Sequence, residues 1–383
     1  MQTLKSAFAG AAFAASLAAG IAHADITVGF ITSLSGNTSS IGIPYDRGVA
    51  AGAAQIGEIA GQRIRIVRLD DASDPTTAAR NARKLIEEDR VDILIGSAGA
   101  PTTLAIGGVS YEARVPFIGI GNAVIPGERG QWMVTIPQPA PLMVSATVEH
   151  MRRANIRSVG YIGFSDAWGD LVYDALTAAA GPANIRVLTN ERYARSDTSV
   201  TAQVLKIVTA RPDAILTGGS GTPGALPHLA LMERGWRGPS YSTHAVINRD
   251  FIRVGGAAVE GLIAPTGPVI VAEQLPESNP IRAVSMRFRE VYQRVHNEPT
   301  TDAFSAYAYD AWLIFADAAR RAAANAQPGT PAFRTALRDA IVSTRELVGT
   351  HAIYTFTPNE RYGVDERARV LVRLQGGQWR LIQ

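Results

Sequence analysis

Residues 91–107, with the sequence VDILIGSAGAPTTLAIG, join an apolar strand to a helix through small side chains. In open α/β sheets, ligands bind beyond the carboxyl ends of the strands, where a helix start offers unpaired N–H groups and the positive end of its dipole. The small residues 97–100, Ser-Ala-Gly-Ala, would leave these N–H groups accessible. We therefore expect this helix start to bind an anion.

The same stretch lacks the motifs that bind phosphate groups. A P-loop needs G-x-x-x-x-G-K-[ST], and a dinucleotide site needs G-x-G-x-x-G followed by an acidic residue about 20 positions later. Neither pattern is present, and the stretch has no Lys or Arg. A carboxylate is the better match, bound by backbone N–H groups and by the hydroxyl of Thr102 or Thr103. The alternative is an ordinary βα turn in which the small residues serve only the fold.

Catalytic and metal-binding motifs are missing. The stretch GGSGTPG departs from the nucleophile pattern G-x-S-x-G because Thr222 stands in place of the second glycine. The chain has no cysteine, and its six histidines show no ligand spacing. We therefore expect no catalytic residue, no metal and no other cofactor. An enzyme could use only His244 together with Ser220 or Ser242.

Aromatic residues occur in two settings. Tyr307, Tyr309, Trp312 and Phe315 recur along one helical segment, and such a stripe is typical of a core. Trp168 differs, because it follows a strand end in the polar loop FSDAWGD, where a core does not ordinarily place it. Two strand edges of this kind, facing each other, would form a cleft.

Strand and helix patterns alternate along most of the chain. The strands ITVGFIT, IRIVRLDD, VDILIG and VPFIGIG alternate with helical segments, and the same plan restarts near Pro141. Asp74 and Pro75 have the residue types that begin a helix. This alternation predicts an α/β fold with parallel sheets covered by helices on both faces. The last strands, HAIYTFTP and RARVLVRLQGGQWRLI, are expected to form a hairpin on one of the sheets.

Length and composition are those of a globular protein. The chain has 383 residues, of which 46% are hydrophobic, and this length suits two domains. Residues 1–24 carry Lys5, an apolar run and the small-x-small triplet Ala22-His23-Ala24, which together predict a cleaved signal peptide. A transmembrane helix is the alternative, but the run is shorter than the roughly 20 residues that span a bilayer. The basic residues are scattered, which argues against a nucleic-acid partner.

The segments ITVGFITSLSGNTSSIGIPYDRGVAAGAAQI, LDDASDPTTAARNARKLIEEDRVDILIGS and EARVPFIGIGNA resemble the leucine/isoleucine/valine-binding protein family, the extracytoplasmic receptors of branched-chain amino acid type ABC transporters. The resemblance covers almost the whole chain after residue 24. It implies a two-domain type I periplasmic binding fold with three inter-domain crossings and a ligand between the lobes. The N-terminal lobe would comprise residues 25–140 and 271–348, and the C-terminal lobe residues 141–270 and 349–383.

Matching the family's motifs position by position implies a set of ligand contacts on both lobes. Those on the first lobe are Ile41, Ala100, Pro101, Thr102, Gly121, Asn122 and Ala123. Those on the second lobe are Trp168, as an aromatic cover, Ser220 and His244.

Two of these positions depart from the amino-acid-binding members. Those members resemble one another in having an acidic residue where His244 stands, and it pairs with the ligand's ammonium group. An unpaired ammonium in a closed cleft costs several kcal/mol, so His244 should exclude amino acids. The tyrosine expected at Ser220 is also absent. We therefore expect a carboxylate without an α-ammonium, for example an aromatic acid stacked on Trp168 with His244 at its far end. If the alignment shifts by one or two residues, Asp166 or Asp250 supplies the acid.

The resemblance implies a periplasmic, monomeric receptor that binds its ligand by hinge closure and then docks on a membrane permease. Branched-chain or other amino acids, or amides, are the alternative ligands. An enzyme or a sensor domain on the same architecture is the rival from another class.

Overall fold

Two sheets, each built mainly from parallel strands, form the frame of the structure. The computed structural model describes residues 25–123, 125–300 and 302–382. The predicted signal peptide, residues 1–24, lies outside the described residues. In the part of the chain that is described, no helix is both long and apolar enough to cross a membrane.

The first sheet contains the strands of the amino-terminal unit in the order β2-β3-β1-β4-β5-β6. Only β2 is antiparallel to its neighbour. The elements of this unit are β1 (Ile26–Thr32), α1 (Ser39–Gln55), β2 (Glu58–Ile59), β3 (Gln62–Asp70), α2 (Pro75–Glu87), β4 (Ile93–Gly96), α3 (Ala100–Ala113), β5 (Phe117–Gly119) and β6 (Met133–Thr135).

The second unit repeats this strand–helix plan. Its elements are α4 (Ala140–Arg153), β7 (Ser158–Phe164), α5 (Ala167–Ala180), β8 (Arg186–Tyr193), α6 (Thr201–Ala210), β9 (Ala214–Gly218), α7 (Leu226–Glu233), β10 (Ser240–Tyr241), α8 (Arg249–Gly255) and β11 (Ile263–Thr266). The remaining elements are α9 (Pro280–His296), α10 (Phe304–Ala323), α11 (Pro331–Val342), β12 (Leu347–Val348), β13 (Ile353–Tyr354), β14 (Val370–Gln375) and β15 (Gln378–Leu381).

The carboxyl-terminal strands complete the second sheet, whose order is β15-β14-β11-β10-β9-β7-β8. The hairpin of β14 and β15 adds to β11 in the antiparallel sense. The segment HAIYTFTP does not join this sheet, which corrects the sequence prediction. Its strand β13 pairs with β12 as a separate two-stranded sheet. The predicted α/β class, with parallel sheets flanked by helices, is confirmed.

The chain passes between the two units after β6, after β11 and after β13. The segment that leads into the third passage is bound by a buried carboxylate on α10. Asp310 accepts hydrogen bonds from the N–H groups of Thr350 (2.7 Å) and His351 (3.0 Å) and from the hydroxyl of Tyr354 (2.9 Å). Burial raises the pKa of Asp310 to about 6. The lobe boundaries at residues 140, 270 and 348 stay a prediction.

Helix α2 begins as its sequence predicts. The side chain of Asp74 accepts a hydrogen bond from the N–H of Thr77 at 2.7 Å, and Pro75 occupies the first helical position. The cap satisfies one of the N–H groups that a helix start leaves unpaired. It therefore fixes where the chain turns after β3.

Helices α1 and α10 pack so closely that only glycine fits at their contact. A Cβ atom at Gly48 would lie 2.0 Å from the carbonyl oxygen of Ser305, and one at Gly52 would lie 2.6 Å from Cγ of Trp312. The indole of Trp312 is fully buried and donates to the carbonyl of Ile56 at 3.1 Å. The aromatic stripe of α10 therefore belongs mainly to the core.

We expect Gly48→Ala to lower the free energy of unfolding by about 1–3 kcal/mol, because the added methyl group overpacks the contact between α1 and α10. Gly108→Ala is the matched control inside α3, where the nearest atom to an added Cβ is Nη2 of Arg129 at 3.9 Å. The control should leave stability unchanged or raise it by up to about 1 kcal/mol. Urea unfolding of both variants checks this, and equal stabilities would contradict the close contact.

Candidate functional site

A small cavity of about 30 Å³ lies between the two units, where the loops after strands of both sheets meet. A single buried water needs roughly 10–15 Å³ by the same kind of measure, so the two walls lie close together. Seven predicted residues line the cavity, namely Ile41, Ala100, Gly121, Asn122, Trp168, Ser220 and His244. Pro101, Thr102 and Ala123 do not line it.

Larger cavities lie elsewhere on the molecule. One of about 540 Å³ is an open groove of the second unit, beside His150, Trp236 and Tyr241. Its wall comes from that unit alone, at the amino ends of β10 and β11. Ligands of open α/β sheets bind at the carboxyl ends of the strands, so the small cavity between the units is the better candidate.

The start of α3 forms part of the first wall. The hydroxyl of Thr102 accepts from the N–H of Gly99 (3.2 Å) and donates to its carbonyl (2.9 Å). The hydroxyl of Thr103 lies 3.4 Å from both the nitrogen and the oxygen of Ser97. These hydroxyls therefore bind their own loop in this structure, and a ligand contact of Thr102 or Thr103 stays a prediction. Among the described residues, the N–H groups of Ala100 and Thr102 have no acceptor.

The loop after β5 touches the loop after β4. A Cβ atom at Gly121 would lie 2.3 Å from Oγ1 of Thr103 and 2.9 Å from the carbonyl oxygen of Gly99. Only glycine allows this approach. The contact therefore places the main chain of both loops at the cavity wall.

Asn122 and His244 form a hydrogen bond across the cleft. The amide nitrogen of Asn122 donates to the carbonyl of Gln138 and lies 3.2 Å from Nε2 of His244. The hydroxyl of Tyr362 donates to the amide oxygen of Asn122 at 3.1 Å. These partners fix the orientation of the amide. Since an amide nitrogen only donates, Nε2 of His244 accepts and the ring proton resides on Nδ1.

His244 is a neutral donor at the cavity wall. Its side chain is buried, and burial lowers its pKa to about 3. Within the described part of the chain, its Nδ1 atom has no hydrogen-bond partner. The Nδ1–H group can therefore bind an acceptor atom of a ligand.

Trp168 lies in the first turn of α5. The side chain of Asp166 caps this helix by accepting from the N–H groups of Trp168 (2.9 Å) and Gly169 (3.3 Å). The indole N–H donates to the carbonyl of Gly219 at 3.2 Å. The indole also packs edge-to-face on His244, with 5.6 Å between ring centroids. The two ring contacts, with Gly219 and with His244, thus hold the indole at the cavity.

Arg195 lines the cavity, and the sequence analysis missed it. Its Nε donates to the carboxylate of Asp166 at 2.6 Å and its Nη1 to the hydroxyl of Ser220 at 2.8 Å. The guanidinium lies 4.2 Å from the ring centroid of Phe164. Its position two residues after β8, at the edge where Trp168 also lies, is the sequence signal that could have identified it.

Neither alternative acid of the sequence analysis reaches the cavity. Asp166 binds the start of α5 and pairs with Arg195, while Asp250 pairs with Arg253 at 3.0 Å on α8. No Asp or Glu among the described residues lines the cavity. An ammonium group would therefore find no carboxylate there.

The serines near His244 bind other groups. The hydroxyl of Ser220 accepts from Arg195, and that of Ser242 accepts from Thr217 at 2.9 Å. The Nε2 atom of His244 accepts from Asn122. Neither serine is thus activated by the imidazole in this arrangement.

The buried imidazole predicts a dependence of stability on pH. The folded form of His244 stays neutral down to about pH 3, while the unfolded form binds a proton below about pH 6.5. Stability is therefore lost as the pH falls from 6.5 towards 3, by up to about 1.4 kcal/mol per pH unit for this one group. We expect His244→Asn to lose stability less steeply between pH 6 and pH 5 in denaturant titrations.

Asn122→Ala is the control for this experiment, because it removes the bond across the cleft and keeps the imidazole. Its slope against pH should match that of the unsubstituted protein. The carboxylate of Asp310 titrates equally in all three proteins and cancels in the comparison. A slope that His244→Asn leaves unchanged would contradict a buried neutral imidazole.

The chain is similar to known proteins in both sequence and fold. The family model described as periplasmic binding protein matches residues 25–364. The crystal structure of an extracellular ligand-binding receptor from Rhodopseudomonas palustris HaA2 is 37% identical, with a TM-score of 0.91, and the match covers 94% of this chain and 100% of that chain.

Proteins with lower sequence identity are similar to this chain as well. Leu/Ile/Val-binding protein homolog 3 of Brucella melitensis is 23% identical over 263 residues, which cover 66% of this chain and 70% of the relative. A leucine-binding protein from Thermotoga maritima is 21% identical with a TM-score of 0.81, and the match covers 94% of this chain and 98% of that one. This last likeness is one of fold alone.

Proposed function

Because the chain belongs to the periplasmic binding protein family, we propose that it is the extracytoplasmic solute receptor of an ABC transporter of the branched-chain amino acid type. Its ligand is a small carboxylate without an α-ammonium group, bound between the two lobes. An aromatic acid is the favoured case. The ligand contacts are those predicted residues that line the cavity, together with Arg195.

The observation that carries the choice of ligand is the chemistry of the cavity wall. No Asp or Glu of the described chain lines it, whereas His244 presents an unpaired Nδ1–H and the start of α3 has N–H groups without acceptors. Arg195 adds a cation. Such a wall suits a carboxylate, because charge-assisted hydrogen bonds to an anion are stronger than neutral ones. The neutral, edge-packed pair of Trp168 and His244 suits an apolar body such as a ring.

The closed arrangement supports binding by hinge closure. Ser40 on α1 accepts from the N–H of Thr222 (3.1 Å) with its hydroxyl and from the amide of Asn248 (3.2 Å) with its carbonyl. These bonds join the lobes beside the cavity, as does the bond between Asn122 and His244. A cavity of about 30 Å³ is too small to hold a carboxylate ligand such as benzoate, so the lobes must separate to admit it. The closed form then docks on the membrane permease.

A second candidate ligand is an amino acid, which the name of the Brucella melitensis relative favours. An α-amino acid brings an ammonium group as well as a carboxylate. Burying that group without a carboxylate partner costs several kcal/mol. The histidine at position 244 and the ion-paired Asp166 therefore disfavour it.

A thermal-shift screen of the protein without residues 1–24 tests the proposal. Carboxylates such as benzoate should raise the unfolding midpoint, while leucine, isoleucine and valine should not. A ligand at 100 times its dissociation constant adds about 2.7 kcal/mol of stability. The methyl ester of the same acid is the control for the charge. Stabilisation by leucine or valine, with none by any carboxylate that lacks an ammonium, would refute the proposed ligand class.

We expect Trp168→Ala to weaken binding of an aromatic acid by about tenfold or more, because it removes the ring that covers the ligand. Trp168→Phe should retain most of the affinity. It is the second variant in case Trp168→Ala does not fold. Trp236→Ala is the matched control, since Trp236 lies in the separate groove of the second lobe. Calorimetric affinities check the prediction, and equal losses for Trp168→Ala and Trp236→Ala would exclude Trp168 from the site.

A further inference from the structure

Arg195 is a cation held rigidly at the cavity wall. Its side chain is only 11% exposed, and it contacts three different residues, Asp166, Ser220 and Phe164. A planar guanidinium fixed in this way loses little conformational entropy when it binds a further group. The charge is therefore preorganised before any ligand enters.

The guanidinium of Arg195 has more N–H groups than its contacts with Asp166 and Ser220 use. Of its five N–H groups, one on Nε binds Asp166 and one on Nη1 binds Ser220. In the described part of the chain, Nη2 of Arg195 donates no hydrogen bond. Ser220 accepts from Arg195, so its own hydroxyl proton remains available to a ligand. Arg195 and Ser220 together can thus donate at least two hydrogen bonds into the cavity.

The counter-charge of Arg195 faces away from the cavity. The carboxylate of Asp166 already accepts from Trp168, Gly169 and Arg195, and Asp166 is absent from the cavity wall. A ligand therefore meets the guanidinium and not the carboxylate. This second set of donors belongs to the opposite lobe from the start of α3, whose N–H groups suit the ligand's first carboxylate.

We propose that Arg195 is a specificity-determining residue that selects organic acids with a second acceptor group at the end remote from the first carboxylate, dicarboxylates being the simplest such ligands. This inference rests on the proposed function, because it needs a carboxylate bound at the start of α3. The second group accepts hydrogen bonds from Arg195, Ser220 and Nδ1–H of His244. A ligand without it leaves these buried donors unpaired, and that loss sets the selectivity.

Isothermal titration with two matched pairs of acids tests the inference: benzoate with terephthalate, and pentanoate with glutarate. Within each pair the second acid differs mainly by a carboxylate at its far end. In at least one pair the unsubstituted protein should bind the diacid about 10- to 100-fold more tightly, as expected for hydrogen bonds to charged groups. Arg195→Gln should remove most of this preference, because it weakens binding of the diacid more than binding of the monoacid.

Arg192→Gln is the matched control, because Arg192 is also ion-paired, with Asp170 at 3.0 Å, and does not line the cavity. It should keep the preference for the diacid. Arg195→Lys provides a second variant in case Arg195→Gln does not fold. It keeps the positive charge but lacks the planar guanidinium with its several N–H groups. It should keep part of the preference. A change in stability alone would shift both members of a pair equally.

The outcomes separate this inference from the proposed function. If monoacids bind and the diacids gain nothing, or if the preference survives in Arg195→Gln and Arg195→Lys, the role of Arg195 is refuted while the proposed function stands. If none of the four acids binds the unsubstituted protein and leucine does, both are refuted. The inference is supported if Arg195→Gln loses the preference for the diacid while Arg192→Gln keeps it.

Discussion

The carboxylate of Asp166 organises the second wall of the cavity. It accepts two N–H groups at the start of α5 and pairs with Arg195 at 2.6 Å. The positions of Trp168 and of the guanidinium therefore depend on the same two oxygen atoms. The pair is mostly shielded from solvent, so removing either partner would leave the other charge without its partner at this wall. The wall can thus present an aromatic face and a cation side by side without an acid between them.

The first wall is built differently. It offers main-chain N–H groups at the start of α3, and its shape depends on the contact of Gly121 with the loop around Gly99. No charged side chain of the first unit lines the cavity in the described chain. In the described chain, the charged side chain at the cavity therefore belongs to the second lobe, while the first lobe adds main-chain N–H groups beside neutral side chains such as Asn122. Under the proposed function, the ligand's carboxylate binds the N–H groups at the start of α3 and its apolar body packs on Trp168.

The sequence predicts the family and several of the residues that line the cavity, but not the charged residue among them. The strand–helix alternation and the motifs around Ile41, Ala100 and Asn122 gave the fold and the family, and both are confirmed. Arg195 was missed because a single arginine after a strand has no pattern of its own, and its role depends on Asp166, 29 residues away. Thr102 stays a predicted ligand contact, and its hydroxyl also binds the backbone of Gly99, as threonine at a helix start commonly does.

Under the proposed function, the unpaired donors around the cavity link ligand binding to closure. In the described part of the chain, Nδ1–H of His244 is buried without a partner, and a buried unpaired donor costs about 1–3 kcal/mol. An open cleft would expose this group to water and remove the cost. A ligand that supplies an acceptor removes the same cost in the closed form, so it shifts the equilibrium towards closure. An ammonium group supplies no acceptor and adds a cost of its own. Under the proposed function, selectivity and closure therefore have one physical origin, because only a ligand that satisfies the buried donors makes the closed form favourable.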